Sequence, residues 1–361
     1  MVQLSEMLPP RPEAWWPLLK QCGVDTVVGL LNGAEQDQRM FAAVGAQDFG
    51  AAGSGPAPWS FEAIRRDKAL FAEHGFKLIG LEDTAPMDNA RLGLPGRDQE
   101  IESVIEQIRA MGRLEIPTLC YNWMAIRTWG RTDVSIPARG GALVSGFRLA
   151  DSEALPPFVA PGEVTSDQLW SALKYFLDAV IPEAEAAGVR LGLHPDDPPR
   201  PPSRQLDRNL PRIMGTVDAY RKLLALHPSP SNGITFCQGN WALMEEVISG
   251  QTSLPDLITE LAPEHIAFVH FRDVRGTLDD FRETFHDEGQ TDLPSCMKAY
   301  AGAGFAGPMR PDHVPTMEGE SNARPGYETL GRLFALGYIR GLHQAAYGCH
   351  PAAGHHAEEV S

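Results

Sequence analysis

Eight short apolar runs alternate with stretches of helical periodicity along this chain, and no other feature limits its fold so strongly. The runs are residues 24–31, 77–81, 116–121, 189–193, 233–236, 266–269, 307–310 and 338–342. They are rich in Val, Ile, Leu and Phe, as strands buried on both faces require. Between them, residues 59–74, 97–112, 166–187, 212–226, 254–261, 292–301 and 326–336 carry apolar side chains at helical spacing. Gly75, Gly188, Gly304 and Gly337 stand where helices are expected to stop, because glycine enters the left-handed cap conformation easily. Strand and helix in alternation predict βα units with right-handed crossovers and a parallel sheet. Eight units point to an α/β fold, a closed (β/α)8 TIM barrel. We read residues 1–348 as one barrel domain and 349–361 as a C-terminal tail. Two long loops, 32–58 and 123–164, follow strand C-terminal ends, where barrels build active sites.

Composition narrows the function. With 361 residues and 43% apolar content the chain can bury a sizeable core. Its formal net charge of −16 argues against nucleic acid or an anionic membrane as the main partner. No apolar stretch reaches the roughly 18 residues of a membrane span. The first residues lack the basic start and apolar run of a secretory signal. Five cysteines at irregular spacing make a poor disulfide framework and fit a reducing cytoplasm.

Four metal-ligand residue types close four consecutive strands. His194 follows Val-Arg-Leu-Gly-Leu, Cys237 follows Gly-Ile-Thr-Phe, His270 follows Ile-Ala-Phe-Val, and Asp312 follows Gly-Pro-Met-Arg-Pro. Each is about one βα unit from the next, so in a barrel they converge at the C-terminal mouth. Imidazole, thiolate and carboxylate together suit a divalent transition metal, and the thiolate alone leans towards zinc or iron. His313 sits beside Asp312, a good place for acid–base work, and Tyr327 lies in the next βα loop. Arg272 and Arg310 are candidates for a substrate carboxylate, Asp196 or Asp197 for supporting His194 from behind or for substrate hydroxyls, and His286 for sugar hydroxyls or for closing the site.

The longer motifs are more specific. They are LGLPGRDQEIE from Leu92, IPTLCYNWM from Ile116, RGGALVSGF from Arg139, LHPDDPPRP from Leu193, ITFCQG around Cys237 and FVHFRDV from Phe268. Phe281, Glu283, His286, Gly289 and Asp292 follow at fixed spacing, then MRPDH from Met309 and PGYETLGRLFALGYIRGL from Pro325. On these segments the chain resembles the mannonate dehydratases, whose barrel is xylose-isomerase-like. The resemblance implies metal ligands at His194, Cys237, His270 and Asp312, and an acid–base pair at His313 and Tyr327. It implies manganese as the cofactor and dehydration of D-mannonate to 2-keto-3-deoxy-D-gluconate in hexuronate breakdown. It further implies a small-molecule sugar-acid substrate and a homo-oligomer. In the first assignment Tyr327, ionised beside the metal, is the base and His313 the acid; the reversed roles stay open. The alternative is a sugar or sugar-acid isomerase or epimerase on the same barrel, which expels no water. Two stretches depart from the family: residues 29–35 read GLLNGAE, without the histidine and tryptophan expected there, and the region after Trp123 is altered, reading MAIRTWGRTD. The exact sugar acid is therefore left open.

Overall fold

In a computed structural model, seven of the eight apolar runs become staves of a closed parallel barrel. The structure describes residues 2–31, 56–126 and 129–348. The barrel strands are β1 (Gln3–Leu8), β2 (Thr26–Gly29), β3 (Lys77–Leu81), β4 (Thr118–Asn122), β5 (Arg190–His194), β6 (Asn232–Cys237), β7 (Ile266–Phe271) and β8 (Pro308–Pro311). They pair in chain order, and β1 closes the ring against β8 through Gln3↔Pro308 and Leu4↔Met309.

The eighth stave is a correction. The run at 338–342 is not a strand; it lies inside the last helix, Thr329–Tyr347. Leu336 and Ile339 are buried at helical spacing, and Gly337 sits in the helix interior rather than at its end. The missing stave is Gln3–Leu8, whose QLSEML sequence lacks an apolar run because the barrel interior there is polar. Ser5 Oγ lies 2.9 Å from Thr26 Oγ1, and Glu6 is fully buried with Arg332 nearby.

Most helices follow their expected spans because side chains cap them. Ser60, Thr165, Thr216 and Ser253 each accept from a backbone N–H three residues on. The helix expected over 212–226 starts later, at Val217. Its first residues are used otherwise: the Met214 carbonyl accepts from the Asp196 N–H while its N–H donates to the Asp196 carboxylate, and a Cβ on Gly215 would meet the Pro199 carbonyl oxygen at 2.7 Å.

The loop expected over 123–164 contains structure of its own. Asp133–Pro137 and Leu143–Arg148 join Asp280–Glu283 and Val274–Thr277 in a four-stranded antiparallel sheet, separate from the barrel sheet. Phe147 packs on Phe281 within it, ring centroids 5.9 Å apart. Gly289 packs so closely on Asp273 that a Cβ would lie 2.0 Å from its Cγ, and Asp292 caps the Leu293–Gly302 helix. Most of the 32–58 loop, and the tail at 349–361, lie outside the described residues.

One buried carboxyl yields a pH prediction. Asp67 lies on the core face of the Phe61–Glu73 helix, where burial raises its pKa and Arg66 only partly opposes this. A raised carboxyl pKa means the folded state binds this proton more tightly than the unfolded state. The stabilisation it gives is complete below the ordinary carboxylate range and is lost as pH rises through the folded value. Asp67→Asn mimics the protonated acid. Relative to the parent protein it should gain stability as pH rises from 4 towards neutrality, as read from urea midpoints across that range.

Candidate active site

Strand register brings the expected ligands into one layer. Cys237 pairs with His270 between β6 and β7, and His194 pairs with Asn122 between β5 and β4. The ligand atoms of His194, Cys237 and His270 all lie within 4.8 Å of one another, and all three side chains are buried. His194 Nδ1 donates to the Pro195 carbonyl at 2.6 Å, which leaves Nε2 with its lone pair. Neither ring nitrogen of buried His270 has an aligned hydrogen bond. Two imidazoles and a thiol, buried together with ring nitrogens unsatisfied, fit a soft-to-borderline divalent cation.

Asp312, the fourth expected ligand, stands at the edge of this trio. Its Oδ2 lies 3.8 Å from Cys237 Sγ and 3.7 Å from His270 Nδ1. Arg310 donates to its Oδ1 at 2.8 Å, and so does the Tyr327 hydroxyl at 3.0 Å. Burial raises the Asp312 pKa, but His313, Arg310, His270 and Arg272 outweigh it and hold the carboxylate well below its usual range.

A cavity opens over these groups. His194, His270, Arg310, Asp312 and Tyr327 line it, with Glu82, Cys120, Asn122 and Trp129. Sequence reasoning missed Glu82, which directly follows β3. Burial pushes its carboxyl up, yet Arg310 and His270 hold it at about 2. His313 stands beside Tyr327, its ring 5.3 Å from that of the tyrosine. Its backbone has φ +43, and the facing Gly326, at φ +83, leaves room for the imidazole. Burial and then Asp312 push the Tyr327 phenol pKa well up, and its hydroxyl donates to Asp312.

Behind the cavity lies a buried ionic network. Arg131, from the loop before the second sheet, donates to both Asp197 oxygens at 2.7 and 3.0 Å. It also donates to Glu283 at 2.6 Å and lies 3.5 Å from His313 Nε2. Since a guanidinium only donates, that imidazole nitrogen faces it as an acceptor. Arg272 reaches Asp197, Glu283, Asp312 and Asn240.

Three of the residues expected at the substrate make protein contacts in the structure. Arg272 is wholly buried and engaged by these protein oxygens, so it holds the framework rather than a substrate carboxylate. Asp196 accepts from the Met214 N–H at 2.7 Å and pins the Pro-rich loop rather than lining the cavity. His286 donates from Nε2 to the Phe271 carbonyl at 2.7 Å, bracing the end of β7 outside the cavity wall. Arg310 does line the cavity, already shared between Glu82 and Asp312.

A closed parallel barrel with polar groups gathered at its C-terminal mouth defines a (β/α)8 barrel with its site where this fold builds them. A Xylose isomerase domain protein from Planctomyces limnophilus shares this fold, with TM-score 0.56 and 11% identity over 96% of this chain and 99% of that one. The model of the D-mannonate dehydratase (UxuA) family matches residues 20–160 and 152–350, and the chain belongs to that family. Mannonate dehydratase 1 of Halalkalibacterium halodurans is 32% identical over 316 residues, covering 79% of this chain and 84% of that one. The crystal structure of mannonate dehydratase from Streptococcus suis serotype 2 superposes with TM-score 0.83 at 27% identity, over 99% of this chain and 98% of that one.

Removing one partner from the buried network leaves charges uncompensated. Asp197→Ala strands Arg131 and Arg272, and should lower unfolding free energy by about 3–5 kcal/mol in chemical denaturation.

Proposed function

We propose that this chain is a hydro-lyase that converts D-mannonate to 2-keto-3-deoxy-D-gluconate and water. One observation carries the reading: His194, Cys237 and His270 converge within 4.8 Å at the mouth of a barrel of the D-mannonate dehydratase family. These three with Asp312 would hold a divalent cation, which would supply Lewis-acid stabilisation of negative charge developing on the substrate. Manganese is the ion we propose. The thiol must lose its proton to serve as a ligand, against the burial that raises its pKa, so metal affinity rises with pH.

The reaction takes a proton from C2 and expels the 3-hydroxyl. Tyr327 lines the cavity and carries a proton on its hydroxyl, which suits it to protonate the departing oxygen. His313 is kept neutral by burial, with Nε2 as an acceptor beside Arg131, and takes the C2 proton. This reverses the first assignment of the pair. Loss of a proton from C2 and of hydroxide from C3, the latter leaving as water, yields an enol that ketonises to the 2-keto-3-deoxy product. Arg310 places positive charge on the cavity wall for the substrate's carboxylate while holding Asp312 and Glu82 in place.

A cytoplasmic, homo-oligomeric enzyme belongs to the same proposal. It is supported by the free state of Cys22, Cys120, Cys237 and Cys296, and by the resemblance set out above. Among the described residues no helix is long and apolar enough to cross a membrane.

The test is to incubate manganese-loaded protein with a panel of hexonates and weigh the products. D-Mannonate should lose the mass of one water; an isomer of unchanged mass would establish the isomerase reading instead. Cys237→Ala should lose most bound metal and nearly all turnover. Tyr327→Phe should keep its metal and turn over about 10²–10⁴-fold more slowly, measured by the rate of 2-keto-3-deoxy product formation.

A further inference from the structure

His270 belongs to two clusters. One is His194–Cys237–His270, and the other is Glu82–Cys120–His270, with ligand atoms again within 4.8 Å of one another. The ring faces two carboxylates from opposite sides. Its Nδ1 lies 3.7 Å from Asp312 Oδ2, and its Nε2 lies 3.1 Å from Glu82 Oε1, off the alignment of a full hydrogen bond. We infer that Glu82 is the positioning residue of His270: it accepts from Nε2–H and so turns Nδ1, with its lone pair, towards Cys237, His194 and Asp312. The inference rests on the metal-ligand reading above and not on the identity of the substrate.

Two features separate this from direct ligation through the second cluster. Both Glu82 oxygens are already taken by one guanidinium, with Arg310 Nε on Oε2 at 2.7 Å and Nη2 on Oε1 at 2.5 Å. Asp312 Oδ2 receives longer contacts, from Arg272 at 3.3 Å and from the Cys237 thiol at 3.8 Å, and so already faces the trio. Cys120 is also engaged, accepting from the Thr235 hydroxyl at 3.2 Å. Arg310 spans the arrangement, because its Nη1 holds Asp312 Oδ1 at 2.8 Å. One buried arginine therefore fixes both the carboxylate that orients the ring and the carboxylate on its metal-facing side. Imidazole ligands are commonly oriented this way by a carboxylate on the far nitrogen, and losing that partner typically weakens metal binding 10–100-fold.

The experiment titrates Mn²⁺ into metal-free full-length protein in competition with a chelator, without substrate. Glu82→Ala should weaken Mn²⁺ binding 10–100-fold, with Glu82→Gln in between, since its amide oxygen still accepts. Cys120→Ala should keep the parent's Mn²⁺ affinity, whereas Cys237→Ala should lose it. Nitrogen NMR of ¹⁵N-histidine-labelled metal-free protein provides a readout that general loosening would not move. His270, assigned by the signal missing in His270→Gln, should be protonated at Nε2 in the parent and lose that preference in the Glu82 variants. If Glu82→Ala does not fold, Glu82→Gln carries the same comparison. Parent-like Mn²⁺ affinity in the Glu82 variants would overturn the inference. So would a proton on Nδ1 in the parent, or a loss of Mn²⁺ in Cys120→Ala matching that in Cys237→Ala. Because no substrate is present, failure to dehydrate D-mannonate would count against the proposed function and leave this result standing.

Discussion

The site depends on charge balance among side chains that folding buries. Arg131, Arg272 and Arg310 are buried among Glu82, Asp197, Glu283 and Asp312, and every guanidinium faces at least two of these carboxylates. None of these ions could be buried alone without a cost of several kcal/mol. Together they form a lattice in which each charge holds the next. The histidines inherit their positions from it: His270 lies between Glu82 and Asp312, and His313 between Arg131, Asp312 and Asp197.

That lattice also joins the two sheets. Glu283 comes from the antiparallel sheet and Arg131 from the loop leading into it, while Asp197, Arg272 and Asp312 follow barrel strands. The second sheet therefore does more than cover the mouth, since its ionic contacts reach to within one side chain of the candidate ligands. Burial pushes the Glu283 carboxyl up to about 7 despite both arginines, which places this junction close to its limit of ionisation near neutrality.

The cavity chemistry divides the same way. Groups expected to touch substrate, such as Arg272 and Asp196, are spent on the framework, and the cavity wall draws on residues of lower sequence profile, including Glu82, Asn122 and Trp129. A site built to stabilise charge in a dry pocket needs donors already oriented before substrate arrives. Buried arginines locked by carboxylates meet that need better than mobile ones.

The alternation of apolar run and amphipathic segment was enough by itself to specify the barrel, because strands buried on both faces and one-sided helices leave distinct periodicities. It was also enough to place His194, Cys237, His270 and Asp312 at strand ends, since each directly follows such a run or its closing proline. Gln3–Leu8 escaped because its polar residues face a polar barrel interior, and residues 338–342 misled because their apolar spacing serves a helix equally well. Only tertiary structure decided which arginine faces which acid, that Glu82 stands against His270, and that Arg131 and Glu283 meet at all. Those contacts join segments far apart in the chain, and a charged residue carries no mark in its own neighbourhood of the partner that folding will bring to it.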